Sequence, residues 1–149
     1  MTVRPITKQD RGEYVAMVRA FYDSDAVMHP IPDGYIERTF EELMRSDVYA
    51  EARMLEEDGE TVGYALLAKT FSQEAGGLCV WVEELYVKPA HRSKGFGRTF
   101  FEELFRSLPP AVKRIRLEVE DENVGAVRLY EALGFSFMEY RSMVFDRHG

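Results

Sequence analysis

A chain of 149 residues, 46% hydrophobic and 13% aromatic, carries enough apolar material for a real core, which excludes a disordered chain and predicts one domain over residues 1–149. Its formal charge of −7 argues against a nucleic-acid partner, because a groove for a phosphodiester backbone needs a concentrated basic face; a cationic partner fits better. Cys79 is the only cysteine, the start MTVRPITKQD has no apolar signal core, and no uncharged run approaches the roughly 18 residues of a membrane span, so a soluble, cytoplasmic protein with no membrane partner is expected.

Val3 to Ile6 reads as a short strand. Thr7 and Asp10 then have the spacing of a capping box ahead of a helix whose Tyr14, Val18, Phe21 and Tyr22 share one face. Asp23, Ser24 and Asp25 offer turn chemistry, and His29-Pro30-Ile31-Pro32-Asp33-Gly34 is a loop by composition. Ile36, Phe40, Leu43 and Met44 mark a second amphipathic helix ending near Asp47. Strands over 48–57 and 60–71 flank Asp58-Gly59, a two-residue hairpin signal. Gly76-Gly77 makes another turn, and Leu78 to Val82 is apolar on both faces, as a central strand requires. A helix opening near Gly95 carries Phe96, Phe100, Leu104 and Leu108 in one stripe and stops at Pro109-Pro110. Arg114 to Glu120 alternates as a strand with one wet face. Asn123 caps a last helix bearing Ala126, Val127, Tyr130 and Leu133, and Gly134 suits its left-handed exit. Phe135 to Tyr140 and Ser142 to Phe145 read as closing strands. The order β-α-α-β-β-β-α-β-α-β-β predicts an α/β fold, a mixed and mostly antiparallel sheet with helices on both faces.

The most informative stretch is Glu83 to Gly97, EELYVKPAHRSKGFG, where a strand with two carboxylates meets a basic turn and a helix start. Backbone N–H groups at a helix start are unpaired, so phosphate oxygens can sit on them with Arg92, Lys94 and Arg98 close by. The Walker pattern is absent, and the dinucleotide G-x-G-x-x-G fails at Phe100, so nucleotide hydrolysis and hydride transfer lose their main support. What remains is R-x-x-G-x-G, as Arg92-Ser93-Lys94-Gly95-Phe96-Gly97.

On this motif the chain resembles the GNAT N-acetyltransferases, whose acetyl-CoA site is built from a strand, a [Q/R]-x-x-G-x-[G/A] turn and the following helix. The family pattern N-x-x-A-x-x-x-Y-x-x-x-G-F is met by Asn123, Ala126, Tyr130, Gly134 and Phe135. The resemblance covers essentially the whole chain and implies acetyl-CoA as cosubstrate, with no metal. It implies a coenzyme site from Leu85, Tyr86, Val87, Arg92, Ser93, Lys94, Gly95, Phe96, Gly97, Arg98, Asn123 and Tyr130. V-E-E-L-Y-V-K-P also looks like the subgroup that acetylates spermidine, spermine and related amines, and relatives that pair through closing strands admit a homodimer.

A primary amine has a pKa near 10.4, so its nucleophilic form at pH 7 costs about 4.6 kcal/mol. Glu83 or Glu84 is the base that removes the proton, directly or through a water. Adjacent strand residues point to opposite faces, which puts one Glu toward the cleft unless a bulge, carried by the family's strand near this point, intervenes. Glu83 is favoured as base and Glu84 as amine anchor; Asp25 and His29, between the first two helices, join them as substrate-binding candidates. The resemblance implies N–H groups around Leu85 and Val87 to stabilise the thioester carbonyl oxygen, and makes Tyr130, a phenol protonated at neutral pH, the general acid for the leaving thiolate. His29, His91 and His148 are too scattered for a metal motif. Two other readings are acetylation of a protein N-terminus or lysine, and a non-catalytic acyl-CoA-binding module.

Overall fold

The structure, a computed structural model, describes residues 1–24, 27 and 29–147. Asp25 and His148 therefore lie outside the described residues. Residues 1–118 and 119–149 form two compact units.

The first unit is built on one sheet, β1 (Thr2–Pro5), β2 (Ala50–Glu57), β3 (Glu60–Ser72), β4 (Gly77–Val87) and β5 (Val112–Leu117), in that spatial order. The first four strands are antiparallel, because short turns join β2, β3 and β4. At Asp58 and Gly59 φ is 51° and 78°, the twin left-handed residues that let a two-residue hairpin follow the twist of its strands. β5 runs parallel to β4, which requires a crossover, and α3 (Phe96–Ser107) supplies it.

α1 (Arg11–Tyr22) and α2 (Asp33–Arg45) cover one face. Tyr14, Met17 and Val18 of α1 and Ile36 and Phe40 of α2 pack on Ala52, Met54, Tyr64 and Tyr86 of the sheet. The Tyr14 and Tyr64 rings meet edge to face at 5.3 Å. α3 contacts β4, and its fully buried Phe100, Phe101 and Leu104 lie outside that cluster, so the sheet is covered on its second face as well. Each such buried side chain contributes roughly 1.5–3 kcal/mol.

Local chemistry sets the element ends. The predicted Thr7–Asp10 box forms: the Asp10 carboxylate accepts the Thr7 N–H at 2.7 Å while closing a single 3-10 turn, Lys8–Asp10, before α1. Arg4 on β1 reaches the same carboxylate with two nitrogens, each at 2.8 Å, and so ties the first strand to the first helix. Asp33 and Gly34, read as loop from composition, are instead the first turn of α2, because extended Pro32 takes the N-cap position and leaves the next residues free to wind.

In the second unit, Asn123 caps α4 (Val124–Ala132) by accepting the Ala126 N–H at 3.2 Å. The two closing strands are a correction. Residues 135–147 show no strand: the alternating apolar pattern is there, but no ladder partner, and Phe137, Tyr140, Val144 and Phe145 are exposed. Alternation creates a face; only a neighbouring edge makes a strand of it. The β5 strand likewise stops at Leu117 rather than Glu120, where its pairing with β4 ends.

Candidate active site

The site builds from a defect in β4. Its ladder with β3 pairs Glu84 with Leu66 but Val82 with Leu67, so Glu83 is an extra residue with no partner across the strand. The bulge separates two sequence neighbours. Glu83 is exposed, whereas Glu84 is 9% exposed and turned toward α1. Each Glu84 oxygen accepts one phenol: Tyr22 at 2.5 Å and Tyr64 at 2.7 Å. Partial desolvation, with the charges of Glu84 and Glu118 nearby, raises the Glu83 pKa above the ordinary carboxylate value, the direction that suits a base for an amine. Among the described residues no basic side chain forms an ion pair with either Glu83 or Glu84.

Beyond the bulge the two central strands part. The last β4–β5 pair is Val82 with Leu117, so Glu83 to Val87 has no strand on that side among the described residues. Lys88 N–H donates to Val62 on β3 at 2.8 Å. Because successive N–H groups of a strand point to alternate sides, those of Leu85 and Val87 point away from β3, into the opening. The Tyr86 side chain lies in the core at 7% exposure, so only its backbone is at this edge. On β3, Gly63 permits the close approach opposite: a Cβ there would lie 2.2 Å from the Tyr86 carbonyl oxygen.

The basic turn follows. Ser93 and Gly95 are left-handed, with φ of 63° and 81°, and fold the chain so that α3 begins immediately at Phe96. The helical ladder starts with the Thr99 N–H on the Gly95 carbonyl, so the N–H groups of Phe96, Gly97 and Arg98 precede any intrahelical partner. Such a helix start carries partial positive charge suited to phosphate oxygens. Lys94 and Arg98 are exposed beside it. Arg92 has a different duty: its Nε donates to the Val87 carbonyl at 2.8 Å and its guanidinium lies 5.5 Å from the Tyr86 ring centre, which holds the turn against the strand. Phe96 stacks on His91 with centroids 6.2 Å apart.

Tyr130 and Asn123 belong to the second unit. The Phe135 N–H donates to the Tyr130 carbonyl at 2.9 Å and the Gly134 N–H to Glu131 at 3.1 Å, with Gly134 at φ 103°, which is a Schellman stop. The Tyr130 and Phe135 rings meet at 5.9 Å, the apolar contact that goes with it. Desolvation raises the Tyr130 pKa, so the phenol keeps its proton at neutral pH. His29 is exposed in a bend, and Asp25 lies outside the described residues. The structure thus brings together Glu83, Glu84 and the basic turn that follows them, and adds Tyr22, Tyr64 and Gly63, which sequence reasoning did not place at the site. Tyr22 had been legible only as part of an apolar helix face. Among the described residues no group of three His, Cys, Asp or Glu side chains could hold a metal, and no helix is long and apolar enough to cross a membrane.

Residues 15–135 match the acetyltransferase (GNAT) family model. A mouse thialysine N-epsilon-acetyltransferase is 27% identical over 146 residues, covering 89% of this chain and 82% of that protein. A spermine/spermidine N(1)-acetyltransferase of Bacillus subtilis strain 168 is 29% identical over 84 residues, about half of each chain (54% and 55%). Among solved structures, the aminoglycoside N-acetyltransferase AAC(6')-Iy in complex with CoA superposes with a TM-score of 0.78 at 17% identity, covering 99% of this chain and 95% of that one, which is a likeness of fold.

Proposed function

This chain belongs to the acetyltransferase (GNAT) family, and on that premise we propose that it moves the acetyl group of acetyl-CoA to a primary amine of a small cationic acceptor, by direct attack in a ternary complex. The family model spans residues 15–135 and so runs across the boundary between the two units, which supports reading them as one catalytic domain. Acetyl-CoA fits the chain's own chemistry: the N–H groups of Phe96, Gly97 and Arg98 with Lys94 would hold its diphosphate, and the free edge at Leu85 and Val87 would pair with its amide-bearing arm. When bound it supplies an activated thioester.

The observation that carries this reading is the bulge at Glu83 beside an unpaired strand edge, with a carboxylate at Glu83 and outward N–H groups at Leu85 and Val87 on alternate residues of one strand. Glu83 takes the ammonium proton. The Leu85 N–H, the first on the open side after the bulge, faces the carbonyl oxygen where charge develops, and one such fixed donor commonly supplies about 2.7–4 kcal/mol, while the Val87 N–H is left for the amide-bearing arm. Tyr130 holds the proton needed by the departing thiol. The acidic balance of the chain and two adjacent glutamates without an ion-pair partner among the described residues favour a cation, and the names of the mouse and Bacillus relatives, a thialysine and a polyamine enzyme, support a flexible aliphatic amine. Thiol release with acetyl-CoA and a panel of spermidine, thialysine, aminoglycosides and basic peptides tests this. Turnover confined to the peptides would favour acetylation of a protein N-terminus or lysine; CoA binding with no turnover at all would favour a non-catalytic acyl-CoA module.

A further inference from the structure

The buried carboxylate of the pair is too well enclosed to meet a substrate, and no basic side chain among the described residues forms an ion pair with it. Glu84 is 9% exposed, and its two oxygens are already occupied by the Tyr64 and Tyr22 hydroxyls. Tyr64 is fully buried, so that bond ends in the core. Tyr22 is different. It is half-buried on the last turn of α1, and the chain leaves the helix immediately after it. Its hydroxyl sits on the Glu84 carboxylate, whose neighbour in the strand is the bulged Glu83. A phenol that donates to a carboxylate becomes a stronger acceptor at its own oxygen, since hydrogen bonds in series polarise one another. Its ring adds a face that attracts cations.

We propose that Tyr22 is the residue that receives the acceptor ammonium, with the phenol oxygen and ring face presented beside Glu83, and that Glu84 acts through Tyr22 as a positioning residue rather than touching the amine. This rests on the N-acetyltransferase reading and sharpens its acceptor site. It replaces direct anchoring by Glu84 with a relay: the buried carboxylate reaches the cleft through one hydroxyl. Tyr64 fixes the other end of the relay so that Glu84 cannot swing out.

The test uses whichever of spermidine, thialysine and a lysine peptide the unaltered protein acetylates fastest. Tyr22→Phe keeps the ring and the fold and removes only the hydroxyl. The expected result is a KM for the amine raised about tenfold, with KM for acetyl-CoA and kcat changed less than about twofold. Glu84→Gln should raise the amine KM in the same way, and combining it with Tyr22→Phe should add little, because the two act in series. Tyr64→Phe serves as the structural control, lowering the Tm while moving the amine KM less than Tyr22→Phe does. An unchanged amine KM in Tyr22→Phe would overturn the relay while leaving the functional reading intact. Fully additive effects of Tyr22→Phe and Glu84→Gln would also overturn it. If the unaltered protein acetylated none of the three amines, the acceptor reading itself would fall, and the relay with it.

Discussion

Two regions carry the proposed chemistry, and they are made in opposite ways. From Glu83 to Arg98 the shape comes from long-range pairing: β3 fixes one side of β4, β5 leaves the other side after Val82, and a bulge divides two adjacent glutamates. Around Tyr130 the shape is local. A nine-residue helix begins at an Asn cap and ends in a Schellman stop, with every defining hydrogen bond within six residues in sequence. Local motifs survive in many contexts, whereas the first region exists only because a whole sheet does.

The sharpest way to break this comparison is Glu83→Gln. It should lower kcat/KM about 10²–10³-fold with the fold unchanged, since general-base removal commonly has that size. The pH profile carries the sign. The base must be ionised, so the rate falls as pH drops through the raised Glu83 pKa, and that acidic limb should vanish in Glu83→Gln. A retained limb would move the base elsewhere. Next in size is Tyr130→Phe, expected to reduce kcat about 10–100-fold while calorimetry still registers CoA binding; an unaltered kcat would leave Tyr130 with only its helix-stop role.

Stability separates the regions too. Arg4, then the Thr7 backbone and hydroxyl, hold Asp10 at about 2 from its ordinary 3.8, against the opposing effect of burial. A depressed carboxylate stabilises the fold above its unfolded pKa and loses that stabilisation as pH falls through the folded one. Denaturant titrations should therefore lose about 2 kcal/mol between pH 4 and pH 2, and Asp10→Asn should flatten that slope. The smallest effect belongs to the local region: Gly134→Ala, at φ 103°, should cost about 1 kcal/mol, read as faster amide exchange at the end of α4 with the sheet amides unaffected.

The same division explains what was legible in the sequence. The hairpin at Asp58-Gly59, the stripe of α3, the Asn123 cap and the Gly134 stop are signalled by residues close to one another, and each stands where the pattern placed it. The family motifs are of this kind as well. The tyrosine pair on Glu84 was not legible, because Tyr22 and Tyr64 lie 62 and 20 residues away and each reads as an ordinary core aromatic. Arg92 shows the converse. Its place in the motif suggested a phosphate ligand, and only the fold shows its Nε committed to the Val87 carbonyl. The closing strands failed because a pattern of alternation says nothing about whether an edge is there to receive it.

The divergence of β4 from β5 has a consequence for how the protein behaves as a solute. The outward main-chain groups of Leu85 and the Val87 N–H, beside a Val87 carbonyl already held by Arg92, are a short template on which an extended peptide can add, including a stray strand from another copy. A pantetheine arm lying there would act as a guard on that edge. Light scattering at high protein concentration should therefore rise more slowly with CoA than without it, so the cosubstrate would protect the chain from self-association as well as supply its acyl group.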